Sequence, residues 1–155
     1  MHGVSEIDIC EDVSAVTLSG LPLDLGLAAD IFTRLAEAMV VIDMVSQTLP
    51  VGGRVNISFT CRDKDLRAML EVTKTLGKAH PGVSSLVNSG NVKIQLFGEE
   101  MVGQPGVFAR AISALSAADV GSPKLVTTSE VDISFLVPAA DLPKAKAALA
   151  AVFEI

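Results

Sequence analysis

The sequence predicts an α+β fold of two βαββαβ units with antiparallel sheets, the first inserted in the second. Three observations carry that prediction. Short motifs recur at offsets between 76 and 81 residues, as a duplicated unit would make them. Apolar residues alternate between a strand-like and a helix-like period in the same order in both halves. Finally, one apolar stretch is left over at the N-terminus while one strand is missing at the C-terminus.

The duplication is read from paired segments. Val16-Thr17-Leu18-Ser19-Gly20 is echoed by Ile94-Gln95-Leu96-Phe97-Gly98, and Gly26-Leu27-Ala28-Ala29 by Gly106-Val107-Phe108-Ala109. Ser46-Gln47 answers to Thr127-Thr128, and Ile57-Ser58-Phe59 to Ile133-Ser134-Phe135. The offset changes only at loop-like places, where insertions cost little.

In the first unit, residues 16–19 form a short β-favouring run, followed by a loop over 20–25 that contains Pro22. From 26 to 39 the apolar positions Leu27, Ile31, Leu35 and Ala38 recur at three and four, which makes one apolar stripe on a helix. Residues 41–49 and 55–61 read as strands joined at Gly52-Gly53, a dipeptide suited to the positive φ of a tight hairpin. Leu66, Met69, Leu70 and Val72 mark a second helix running to Gly77, with Asp63 as its N-cap, and 83–87 is the last strand. The second unit repeats the order: strand 92–97, helix 106–118, strands 124–128 and 131–137, helix 142–152.

No sixth strand follows that last helix, whereas Ile7-Asp8-Ile9-Cys10 precedes the first unit without a role in it. Pairing the two places removes two sets of exposed backbone donors and acceptors. The expected domains are therefore 14–88 for the first unit, and 5–12 plus 90–155 for the second.

Composition limits the function. Half of the 155 residues are hydrophobic and the formal net charge is -6, with 12 Lys and Arg against 18 Asp and Glu. Such a balance, with its cations scattered, opposes nucleic acid as a partner. The apolar runs are too short to cross a bilayer, so no membrane partner is expected. Cys10 and Cys61 stand 51 positions apart and no secretory signal is visible, which places the protein in the cytoplasm with reduced thiols. Cys61, ending an apolar strand, reads as a core residue, and His80, next to Pro81-Gly82, as a solvated turn residue. There is no Ser/His/Asp set, no phosphate-binding glycine loop and no metal spacing among His2, His80 and the cysteines. The expectation is no catalytic residue, no metal and no cofactor.

Gly20-Leu21-Pro22, then Gly26-Leu27-Ala28-Ala29-Asp30-Ile31-Phe32, Ile42-Asp43-Met44-Val45-Ser46-Gln47 and Asn56-Ile57-Ser58-Phe59-Thr60 resemble the first ACT domain of aspartokinases. Pro105-Gly106-Val107-Phe108-Ala109-Arg110, with Thr128-Ser129-Glu130-Val131-Asp132-Ile133-Ser134, resembles the second. The resemblance covers nearly the whole chain. It implies ferredoxin-like ACT units in the inserted arrangement, and the regulatory part of an aspartokinase, in which tandem ACT domains bind lysine or threonine and restrain a separate kinase domain. Nothing in the 155 residues resembles that catalytic domain, so no enzymatic activity is expected of the chain itself.

An amino-acid effector is a zwitterion, so its site must offer donors to a carboxylate and acceptors to an ammonium. Free N–H groups at the start of the first helix of each unit suit the first task, and oxygens on the following strand suit the second. The resemblance implies Gly26 and Ala28 in the loop and helix start, Asp43 and Gln47 on the strand, and Ser122, Pro123, Thr128 and Ser129 of the second unit as effector contacts. It also implies a homodimer in which the ligand lies between the first unit of one chain and the second unit of another, with an aspartokinase catalytic domain or subunit as the controlled partner.

The sequence departs from the family in its loops. Leu23-Asp24-Leu25-Gly26 stands where the family has Asp-Lys-Pro-Gly, Ser122 replaces its Asn, Pro123 its apolar residue, and Lys124 an acidic or amide residue. Two alternatives follow: an ACT dimerisation module without a ligand, or a stand-alone ACT sensor regulating another target. The simpler readings of the same residues are local: Asp43 as the outward side chain of an alternating strand, and Thr127-Thr128-Ser129-Glu130 as a polar hairpin turn.

Overall fold

The computed structural model describes residues 3–155; His2 lies outside them. In chain order the described residues form β1 (Glu6–Pro22), α1 (Leu25–Glu37), β2 (Val45–Gln47), β3 (Arg54–Arg62), α2 (Leu66–Ala79), β4 (Ser84–Phe97), α3 (Val107–Ala117), β5 (Leu125–Thr128), β6 (Asp132–Pro138) and α4 (Leu142–Phe153). The chain divides into two compact units. One is Asp12–Gly90; the other joins the N-terminal segment through Glu11 to Asn91–Ile155.

In the Asp12–Gly90 unit the strand order is β2-β3-β1-β4, with β1 and β2 both antiparallel to β3. Its core gathers Val16, Leu18 and Leu21 of β1, Val55, Ile57, Phe59 and Cys61 of β3, and the inner stripes of both helices. Those stripes are Ile31 and Leu35 on α1, and Met69, Thr73 and Leu76 on α2, spaced at three and four so that each helix turns one face to the sheet. Phe32 meets Phe59 edge to face, with ring centroids 5.6 Å apart.

The other unit has the order β1-β4-β6-β5, its β1 strand being the 6–11 end, which stands where β4 stands in the first unit. Here the core is built from Val92, Ile94 and Leu96 of β4, Ile133, Phe135 and Val137 of β6, and Val107, Ala111 and Leu115 of α3 opposite Ala145, Leu149 and Phe153 of α4. Ile7 and Ile9 pack against it, and Ser5 donates its N–H to the Phe97 carbonyl at 2.8 Å.

Several sequence expectations are corrected here. Residues 7–10 and 16–19 are one continuous strand, as are 83–87 and 92–97. Asp12 in β1 and Gly90 in β4 take positive φ, which lets each strand pass through a polar stretch that reads as a loop. β1 also extends through Gly20 to Pro22 by a bulge between Leu18 and Leu21. The extra residue puts Leu18 and Leu21 both on the core face, where alternation alone would oppose them. Gly20 carries the bulge at φ 74°, its N–H donated to Asn56 Oδ1 and its carbonyl accepting from the Arg54 guanidinium. Asp63 does not cap α2. It lies in a 3₁₀ turn, Asp63–Asp65, and accepts the Ser14 hydroxyl at 2.5 Å, while the helix continues past Gly77 to Ala79. The edge strand expected over 41–49 is regular only over Val45–Gln47: the Met44 N–H goes to the Thr60 hydroxyl while the Thr60 carbonyl takes the Asp43 N–H, so the ladder slips by one residue there.

The hairpin at Gly52-Gly53 is as expected. Both residues have positive φ, and Val51 and Arg54 exchange N–H to carbonyl bonds at 2.9 and 3.1 Å. Cys61 is buried in the core and its thiol pKa is pushed up to about 11, by burial first and then by the charges of Asp65 and Asp63.

Candidate functional site: two equivalent clefts

Each unit carries a cleft where the loop after its first strand, the start of its first helix and its edge hairpin meet. In the Asp12–Gly90 unit Leu27, Ala28, Gln47, Val55 and Ile57 line it, together with residues 21–25, which run from the end of β1 into the start of α1. In the other unit Val107, Phe108, Thr128 and Ile133 line it, with Met101, Gly103 and Gln104 of the loop. These are equivalent positions of the sequence repeat: Leu27 answers to Val107, Ala28 to Phe108, Gln47 to Thr128 and Ile57 to Ile133.

The two helix starts differ in what occupies their N–H groups. At α1 the N-cap is Asp24, whose Oδ1 accepts from Gly26 N–H at 2.9 Å and from Leu27 N–H at 3.4 Å. That carboxylate already fills the place where an external anion would bind. At α3 the N-cap is Gly106, at φ 90°, with no side-chain cap. Gly106 thus offers no carboxylate of its own to the first N–H groups of α3, in contrast to Asp24 at α1.

The walls differ too. Leu21, Val55 and Ile57 form a buried apolar floor in the first cleft, and Leu23 and Leu25 stand at its mouth, 56% and 87% exposed. In the second, Phe108 stacks on Phe135 with centroids 6.1 Å apart, and Thr128, Ser129 and Glu130 supply polar groups from the hairpin. Since Phe135 is the counterpart of Phe59, the aromatic partner sits one turn earlier on α3 than Phe32 does on α1.

Of the residues singled out from sequence, Ala28 and Gln47 meet in the first cleft, with Gly26 in its capped helix start. Thr128 and Ser129 meet in the second. The Ser129 hydroxyl is turned into its own hairpin: it bonds to Asp132 Oδ1 and accepts the N–H groups of Val131 and Asp132. Asp43 lies ahead of β2, at the end away from Gln47, and donates its N–H to the Thr60 carbonyl at 3.2 Å. Ser122 and Pro123 lie ahead of β5, at the end away from Thr128. These three line neither cleft.

Sequence reasoning missed Asp24 and Phe108. An Asp just before an apolar period is a capping signal, and Phe108 is an apolar residue at an outward helix position, so both were visible in the sequence. Among the described residues no three His, Cys, Asp or Glu side chains gather as metal ligands, and no helix is long and apolar enough to cross a membrane.

Residues 94–153 match the family model of the ACT domain. The aspartokinase of Mycolicibacterium smegmatis is 38% identical over 142 residues, which are 89% of this chain and 33% of that protein. That of Bacillus sp. (strain MGA3) is 32% identical over 148 residues, 94% of this chain and 35% of that protein. This chain thus spans about a third of the length of the aspartokinases it matches. Among solved structures, the regulatory subunit of aspartate kinase from Thermus flavus superposes with a TM-score of 0.86 at 26% identity, covering 97% of this chain and 99% of that one.

Proposed function

We propose that this chain, a member of the ACT-domain family related to the regulatory part of aspartokinases, is an allosteric module that binds a free amino acid and transmits its binding to an aspartokinase catalytic domain or subunit. The observation that carries this reading is the recurrence of one cleft at equivalent positions of both repeats.

In this reading residues 14–88 are one ACT unit, and 5–12 with 90–155 are the other. In the second cleft the effector's carboxylate faces the N–H groups at the start of α3; in the first, where Asp24 takes those of α1, Gln47 meets it. In both the ammonium faces oxygens of the edge hairpin. Lysine or threonine is the effector that the resemblance implies. The contact positions are Gly26, Ala28, Asp43, Gln47, Ser122, Pro123, Thr128 and Ser129. Asp43, Ser122 and Pro123, which lie outside both clefts, reach the ligand only across a homodimer that sets the first unit of one chain against the second of its partner. Effector binding shifts the kinase only by its differential affinity for two states of that assembly. The module works in the cytoplasm, with both cysteines free as thiols.

Thermal denaturation against each of the twenty amino acids tests this. A ligand at 100 times its dissociation constant adds about 2.7 kcal/mol to stability. At least one amino acid is expected to raise Tm by several degrees; no shift with any of them rejects the effector reading.

A second reading has its own observation. Asp24 closes the start of α1, and Leu23 and Leu25 leave apolar surface at the cleft mouth, as a dimerisation module without a ligand would have it. Concentration-dependent dimerisation with no amino-acid response is the outcome that selects it.

A further inference from the structure

We infer that the cleft of the Asp12–Gly90 unit accepts an amino acid with an uncharged aliphatic side chain, of the leucine, isoleucine, valine or methionine class, and that lysine and threonine are not its ligands. This rests on the effector reading above and assigns the ligand class of one of its two clefts.

The lining is the argument. Leu21, Leu23, Leu25, Leu27, Val55 and Ile57 face the cleft, and the polar side chains among its lining are Asp24 and Gln47. An ammonium such as lysine's, brought against these walls, loses water and needs a carboxylate in return. Asp24 is the only acid in the lining, and it is turned back onto the N–H groups of Gly26 and Leu27. Recruiting it would uncap α1. Gln47, exposed at the rim, offers one amide to the main-chain ammonium and carboxylate of any amino acid, both of which stay in contact with water there, so no polar partner remains for a second charge deeper in the cleft. A threonine hydroxyl would then enter the aliphatic part of the cleft without a partner.

An aliphatic side chain meets neither cost. It covers Leu23 and Leu25, which nothing in the unit covers, and each methylene so buried contributes roughly fourfold in affinity. The equivalent cleft of the other unit carries more polar side chains, with Gln104, Thr128 and Glu130 beside Met101, Val107, Phe108 and Ile133 in its lining. The two copies of the cleft thus differ in their side chains, and lysine or threonine suits the copy that holds Thr128 and Glu130.

Calorimetric titration of the full chain with leucine, isoleucine, valine, methionine, lysine and threonine tests the inference, using wild type and Leu23→Asp. Leu23 is more than half exposed, so the substitution leaves the core intact. At least one aliphatic amino acid is expected to bind, with its affinity lowered at least tenfold by Leu23→Asp, while the affinities for lysine and threonine do not fall. If lysine or threonine binds and no aliphatic amino acid does, the inference is overturned and the effector reading stands. Aliphatic binding that ignores Leu23→Asp also overturns it. Binding of none of the six overturns the inference, and no response to any of the twenty in thermal denaturation removes the effector reading as well.

Discussion

Asp24 and Gly26 form the contact that decides how α1 begins: the aspartate carboxylate accepts the glycine N–H at 2.9 Å and keeps it from any other anion. Removing an N-cap carboxylate costs about 1 kcal/mol. Asp24→Ala is therefore expected to lower Tm by a few degrees, and to strengthen binding of a ligand whose carboxylate uses the freed N–H groups. Calorimetric unfolding checks the first part and titration the second; an unchanged Tm contradicts the capping role.

Gly26→Asp places a second carboxylate against the first, since a Cβ at position 26 lies 3.2 Å from Asp24 Oδ1. The helix start is exposed, so the fold survives. Effector binding in the first cleft is expected to be lost while the circular dichroism spectrum stays that of wild type. Unchanged affinity would remove this loop from the site.

Cys61 gives a pH dependence with a definite sign. Its folded-state pKa of about 11 lies above the ordinary thiol value of 9.0, so the folded state holds the proton more tightly than the unfolded one. The resulting stability is fully present below pH 9 and is lost as pH rises toward 11, by about 1.4 kcal/mol per pH unit within that window. Unfolding of wild type and Cys61→Ala between pH 8 and 11 checks this. The wild-type curve should fall more steeply, and parallel curves would contradict the assignment.

Ile7 and Ile9 belong to β1 but pack on the core of the Asn91–Ile155 unit. Replacing both by Ser is expected to destabilise that unit first, by about 2 kcal/mol or more. Hydrogen exchange should quicken in β6 and α4 before β3 and α2. The reverse order would refute the insertion of one unit into the other.

Much of this fold was legible in the sequence because its signals are local. Gly52-Gly53 marks a hairpin, and the spacing of Ile31 and Leu35, or of Ala145 and Leu149, marks a helix face. Non-local features escaped. Nothing near Asp12 or Gly90 says that a strand continues through them, since continuity comes from partner strands elsewhere in the chain. The bulge at Gly20 likewise depends on Asn56 and Arg54, more than thirty residues away.

The candidate site was legible in the same uneven way. The repeat and the resemblance led to the loop, helix start and edge strand where both clefts lie, but Asp43, Ser122 and Pro123 fall at the other end of their edge strands. The hydroxyl of Thr60, sixteen positions from Met44, ends the regular pairing there, and no local period announces it.

The central claim is that this chain binds a free amino acid in its repeated clefts. An amide NMR titration of the full chain with the amino acid giving the largest thermal shift tests it most directly. The account predicts that the largest shift changes cluster at Gly26, Ala28 and Gln47, or at Phe108, Thr128 and Ser129, and saturate. Spectra that stay unchanged with every amino acid, or changes confined to residues outside both clefts, would contradict it.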